Sequence, residues 1–97
     1  MKTIAILGST GSIGTQALDI CWRHPDRYRV TALTARGSKE KLFEQVREFR
    51  PEMAGLTDGF DPAEIPSDLQ FCRFLSGKEA LHAAAAEVEA EMVLVSI

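Results

Sequence analysis

The chain is poor in several things that would mark it as a particular kind of protein. It has two cysteines, one tryptophan and one tyrosine in 97 residues. Cys21 and Cys72 stand far apart and outside any C-x-x-C spacing, which argues against a disulfide framework or a thiolate metal site. Both are expected to be reduced thiols that behave as small hydrophobes. No apolar run approaches the ~20 residues that cross a bilayer, so no membrane span is expected. Charge of one sign is not gathered anywhere: 11 basic and 14 acidic residues, net charge -3, are interspersed along the chain. That distribution weighs against nucleic acid as the main partner. A strand begins almost at once, at Thr3, and leaves no room for a signal or transit segment. The compartment expected from this is cytoplasmic.

Hydrophobic residues make up 45% of the chain, enough for one compact domain over residues 1–97, near the lower size for a self-sufficient α/β core. "TIAIL" (Thr3 to Leu7) is an unbroken β-favouring run, as in a strand buried on both faces. Ile13, Ala17, Ile20 and Cys21 then fall at helical spacing, and Pro25 closes a helix over about Ser12 to Arg23. "YRVTALTA" (Tyr28 to Ala35) reads as the second strand. Ser38 stands at an N-cap position before a helix with Leu42, Val46 and Phe49 on one face, stopped by Pro51. "MAGL" (Met53 to Leu56) is a third, short strand.

Turn-forming residues crowd "TDGFDPAEIPSD", within which Asp61-Pro62-Ala63-Glu64 has the order of a capping box. "LQFCRFL" (Leu69 to Leu75) is expected as a strand, followed by a helix through the alanine-rich "KEALHAAAAEVEA". "MVLVSI" closes the sequence as a strand of the buried type. The order β-α-β-α-β-(turn)-β-α-β predicts a Rossmann-like, doubly wound α/β fold, a mostly parallel sheet between two helical layers. The sequence stops inside an apolar strand, so it is expected to be the front part of a longer enzyme.

"LGSTGSIGT" (Leu7 to Thr15) places Gly8, Gly11 and Gly14 in a G-x-x-G-x-x-G pattern where the first strand meets the first helix. Nucleotide-binding folds put a diphosphate at that junction. The first glycine permits the tight turn, the second lets the diphosphate approach the backbone, and the third lets the helix lie close to the sheet. Ser12 and Ile13 would present free N–H groups at the helix start, and Thr10 and Ser12 add hydroxyls. A Walker-type loop is excluded, because Gly14 is followed by Thr15-Gln16 and not by Lys and Ser or Thr.

At the end of the second strand, where NAD-binding domains carry an acidic residue for the ribose 2'-hydroxyl, the chain reads Ala35-Arg36-Gly37-Ser38. No carboxylate stands in that stretch to repel a 2'-phosphate. Arg36 can hold one through its planar fork and Ser38 can donate at the helix start, so NADP(H) is expected over NAD(H). Lys39 is a weaker second cation.

"ILGSTGSIG", "RYRVTALTARGS" and "FLSGKEAL" together resemble the 1-deoxy-D-xylulose 5-phosphate reductoisomerase family, over essentially the whole chain but only over that family's amino-terminal cofactor region. The resemblance implies NADPH as cofactor, with Thr10, Gly11, Ser12 and Ile13 on the diphosphate side and Arg36, Gly37 and Ser38 on the 2'-phosphate. Many members have Gly-Lys-Asn in that second place, so Arg36-Gly37-Ser38 departs from the pattern while keeping a cation and a polar side chain. It further implies a homodimeric enzyme that isomerises and reduces a phosphorylated sugar with Mg or Mn, the catalytic and metal-binding residues lying beyond Ile97. Two rival readings are another NADP-dependent reductase or epimerase, expected to show a Tyr-x-x-x-Lys pair that Tyr28 does not form, and a non-catalytic nucleotide-sensing module.

Within the chain itself, Asp58, Asp61, Glu64 and Asp68 read as a solvated acidic loop and not as a metal centre. His24 and His82 show no catalytic partner. Trp22 and the five phenylalanines are expected in the core or at a boundary with further domains.

Overall fold

The computed structural model of the protein describes residues 1–87 and 90–96. Five strands form one sheet: β1 (Lys2–Leu7), β2 (Tyr28–Ala35), β3 (Met53–Leu56), β4 (Arg73–Ser76) and β5 (Met92–Val95). Three helices, α1 (Ser12–Arg23), α2 (Lys39–Phe49) and α3 (Lys78–His82), lie between them, and α3 continues as a π-helical turn over Ala83–Glu87. The sheet order is β4-β3-β2-β1-β5 and every neighbouring pair is parallel. The chain steps outward from β1 to β4, then crosses back to lay β5 on the other side of β1. That reversal is the switch point of a doubly wound sheet.

Each face of the sheet has its own core. On one, Ile4, Ile6, Val30, Leu33 and Leu56 meet Leu18 and Cys21 of α1 and Leu42, Phe43 and Val46 of α2. On the other, Ala5, Leu7, Ala32 and Met53 meet Ala80, Ala83 and Ala84. The continuous apolar runs of β1 and β3 follow from this two-sided burial, while β2 buries Thr31 and Thr34 among its apolar residues. Between Ile4 and Ala5 the register with β2 shifts so that Thr31 has no opposite residue. Its buried hydroxyl donates to the Ile4 carbonyl at 3.2 Å, which satisfies the polar group that the irregularity leaves inside.

The expected bounds of α1, β2 and β3 agree with the structure. Helix α2 ends before Pro51, with Arg50 left-handed at φ 48 and its amide donating to the Val46 carbonyl. Asp61 and Glu64 form the expected capping box around a 3-10 turn, Pro62–Glu64.

Three expectations are corrected. The strand expected at Leu69 to Leu75 is Arg73–Ser76, because Leu69 and Cys72, three residues apart, both turn inward through a bond from the Cys72 amide to the Leu69 carbonyl at 3.1 Å. Pairing starts only where the Arg73 amide reaches the Glu52 carbonyl. The single alanine-rich helix is an α-turn followed by a π-turn, with Val88 and Glu89 outside the described residues. Alanine favours helix but has no side chain that fixes one pitch, and the seating of Ala80, Ala83 and Ala84 on the sheet decides it. Finally, β5 is not buried: Met92, Val93 and Val95 are 45%, 41% and 62% exposed, and only Leu94 reaches the core. Among the described residues β5 pairs with β1 alone.

Candidate cofactor-binding site

The glycine turn leaves the carboxyl end of β1 at the switch point and is held from three sides. From β2, the Thr34 carbonyl accepts both the Gly8 amide at 2.9 Å and the Ser9 amide at 2.8 Å. From the end of β5, the Ser96 hydroxyl donates to the Gly8 carbonyl at 2.9 Å and the Ser96 amide to the Leu7 carbonyl at 2.9 Å. From α2, Gln45 grips the buried Ser9: the Ser9 hydroxyl donates to Gln45 Oε1 at 2.7 Å, and Gln45 Nε2 donates to the Ser9 carbonyl at 2.9 Å. Ser9, Thr34, Gln45 and Ser96 were not found by reading the sequence. Their partners lie 25 to 89 residues away, and no local pattern carries such pairings.

The three glycines differ in what requires them. Gly8 has φ +90, and a Cβ there would lie 2.9 Å from the Ser96 carbonyl oxygen. A Cβ on Gly14 would lie 2.2 Å from the Gly8 carbonyl oxygen, so the first turn of α1 can press on the loop only with glycine there. Gly11 has ordinary backbone angles, φ -76 and ψ 175, and the nearest atom to its Cβ would be 3.6 Å away. Among the described residues nothing requires glycine at 11.

Gly11 is also the N-cap of α1, and its carbonyl accepts the Thr15 amide at 2.9 Å. Among the described residues the amides of Ser12, Ile13 and Gly14 have no acceptor, the usual state of a helix's first turn. No acidic side chain stands in that turn. Ser12 and Ile13 are exposed and Thr10 is half-buried, so this positive helix end opens to solvent at the carboxyl edge of the sheet.

Arg36, Gly37 and Ser38 follow β2 at the same edge, two residues beyond the Thr34 carbonyl that anchors the glycine turn. The Arg36 side chain is 89% exposed. Ser38 occupies the N-cap of α2 as expected, but its hydroxyl makes no capping bond. A shallow depression of about 520 Å³ opens beside Gly37, Ser38 and Lys39. Lys39 is engaged by Glu64, whose carboxyl is held below the usual range chiefly by that hydrogen bond and by the Asp61 amide.

No carboxylate stands within Ala35-Arg36-Gly37-Ser38, but the fold brings one alongside from elsewhere in the sequence. Asp58 follows β3 and is fixed alongside by a bond from its amide to the Arg36 carbonyl at 2.9 Å. Its Oδ1 lies 3.8 Å from Arg36 Nε, and its Oδ2 would be 3.0 Å from a Cβ at Gly37. Parallel pairing of β2 with β3 brings this carboxylate across 22 residues of sequence.

Elsewhere the chain shows little reactive chemistry. Burial raises the Cys21 thiol and pushes Cys72 up to about 12, so neither is a nucleophile at neutral pH. His24 and His82 are exposed. Among the described residues no three His, Cys, Asp or Glu side chains gather to hold a metal, and no helix is long and apolar enough to cross a membrane. Trp22 lies on the surface with its ring edge-on to Phe49.

This is a doubly wound α/β domain with an anion-receptive glycine turn at its switch point. The profile of the 1-deoxy-D-xylulose 5-phosphate reductoisomerase family matches residues 4–97, and the chain belongs to that family. It is 44% identical over 102 residues to the 1-deoxy-D-xylulose 5-phosphate reductoisomerase of Methylococcus capsulatus, covering all of this chain and 26% of that protein. The enzyme of the same name from Thermosynechococcus vestitus is 40% identical over 104 residues, with 24% of its length covered. Among solved structures, a DOX-P reductoisomerase in complex with NADPH, fosmidomycin and magnesium superposes with a TM-score of 0.89 at 33% identity, over 100% of this chain and 24% of that one. The chain thus spans about a quarter of the length of these relatives.

Proposed function

We propose that residues 1–97 form a Rossmann-like NADPH-binding domain. The cofactor's diphosphate rests on the turn formed by Gly8, Thr10, Gly11, Ser12, Ile13 and Gly14, and its 2'-phosphate on Arg36, Gly37 and Ser38. The observation that carries this is Gly11: among the described residues nothing makes use of its missing side chain, while the amides of Ser12, Ile13 and Gly14 beside it stand free at a positive helix end. An approaching anion uses both. Gly8 and Gly14 build the turn, Thr34, Gln45 and Ser96 hold it in place, and the bond from the Gly11 amide to the Gly8 carbonyl at 3.3 Å leaves the Ser12, Ile13 and Gly14 amides open.

When bound, NADPH supplies a hydride for reduction. The residues of this chain hold and orient it. The whole enzyme, in this reading, isomerises and reduces 1-deoxy-D-xylulose 5-phosphate to 2-C-methyl-D-erythritol 4-phosphate in isoprenoid biosynthesis, as a cytoplasmic homodimer using Mg or Mn. Family membership supports that assignment, and relatives of this fold are described in complex with NADPH and with magnesium. The chain by itself is expected to bind cofactor without turnover.

The test is calorimetric titration with NADPH and NADH. The protein should prefer NADPH, and Arg36→Ala should weaken NADPH about tenfold by removing a charge-assisted contact, with NADH unchanged. Equal affinity for the two cofactors in the unaltered protein contradicts the proposed 2'-phosphate contact.

A further inference from the structure

The region beyond β2 carries its countercharges with it. Lys39 is taken by Glu64, and Asp61 is occupied in capping the Ala63 amide at 2.9 Å. Asp58 differs, because among the described residues its carboxylate makes only a loose pair with Arg36, at 3.8 Å and beyond hydrogen-bond reach. It is nonetheless well placed. Consecutive bonds from the Thr57 amide to the Ala35 carbonyl at 3.0 Å and from the Asp58 amide to the Arg36 carbonyl at 2.9 Å extend the β3–β2 pairing past the sheet edge. They set the carboxylate over the bare backbone of Gly37.

We propose that Asp58 is a specificity-determining residue for the adenosine end of the cofactor, limiting the preference for a 2'-phosphate over a 2'-hydroxyl. This rests on the cofactor reading above. A 2'-phosphate held by Arg36 and Gly37 must lie within a few ångströms of the Asp58 carboxylate and is repelled by it. A ribose hydroxyl in the same place meets a hydrogen-bond acceptor instead. The domain families that favour NAD carry their acidic residue at the end of the second strand. Here the sheet delivers a carboxylate to the same neighbourhood from the end of the third.

Two effects of removing the charge oppose each other, and their sizes decide the sign. Asp58 helps to place Arg36, but a loose pair with an arginine that is 89% exposed orders it weakly. Repulsion between a carboxylate and a phosphate dianion across a few ångströms of water is the larger effect. It also falls with added salt.

Affinities of the protein and of Asp58→Asn for NADPH and NADH, at low and high salt, test this, with Arg36→Ala alongside. The expected result is NADPH binding about fivefold tighter in D58N at low salt, NADH unchanged or weaker, and the gap narrowing as salt is added. Should D58N weaken NADPH, or leave the NADPH-to-NADH ratio as it was, while R36A still loses NADPH selectively, the cofactor reading stands and the role given to Asp58 is wrong. Should the unaltered protein and R36A both bind the two cofactors alike, the 2'-phosphate site itself fails and this proposal with it.

Discussion

A methyl group at residue 14 would sit 2.2 Å from the Gly8 carbonyl oxygen, whereas one at residue 11 would meet nothing nearer than 3.6 Å. The two glycines therefore answer to different demands, and substitution separates them. Gly14→Ala must push α1 off the loop, and should lower unfolding stability in urea by about 1–3 kcal/mol. Gly11→Ala loses some N-cap quality but restricts the unfolded chain, and these offset to within about 1 kcal/mol. Its effect should fall on NADPH affinity instead. Equal losses of stability in both variants would show that Gly11 is structural after all. At this scale the sequence showed the glycine spacing and the Arg36-Gly37-Ser38 stretch, since both are local. It did not show the grip of Gln45 on Ser9 or the approach of Asp58 to Arg36, because each depends on which strands become neighbours.

Between β3 and β4 the chain runs back along α2 and is tied to it at three points. Glu64 pairs with Lys39, Asp68 pairs with Arg47 at 2.8 Å, and Phe71 lies 3.9 Å beneath the Arg50 guanidinium. The arginine and lysine partners hold Asp68 and Glu64 below the usual carboxylate range. Groups lowered on folding contribute above their unfolded pKa, and that contribution is lost as pH falls through their lowered values. Hydrogen exchange over residues 57–72, corrected for intrinsic rates, should be slow near neutral pH and faster at about pH 3, while β1 and β2 stay protected. Unchanged protection of the segment at low pH would mean that the two ion pairs do not hold it.

The same segment shows where element reading fails. Residues 69 to 75 are largely apolar, which suggests a strand, yet Leu69 and Cys72 are buried by a turn. The capping box at Asp61 is legible because a cap depends on residues three apart.

At the scale of the whole molecule, the continuous apolar run of β1 predicts a strand covered on both faces, and the two separate cores bear that out. The apolar run of β5 predicts the same, and within residues 1–97 its side chains are largely exposed. The order β4-β3-β2-β1-β5 was not written in any one stretch; it follows from parallel pairing and from the crossover that puts α3 on the face opposite α1 and α2. That reversal places the glycine turn and the end of β2 at one edge, and there the account's central claim can be checked.

The most direct check follows backbone amide resonances by nuclear magnetic resonance while NADPH is added to the protein. The account predicts that the amides of Gly11, Ser12, Ile13 and Gly14 shift most, saturably, followed by those of Arg36, Gly37 and Ser38, and that NADH moves the first group with less effect on the second. Saturable binding that leaves the amides of residues 11 to 14 unmoved would contradict it.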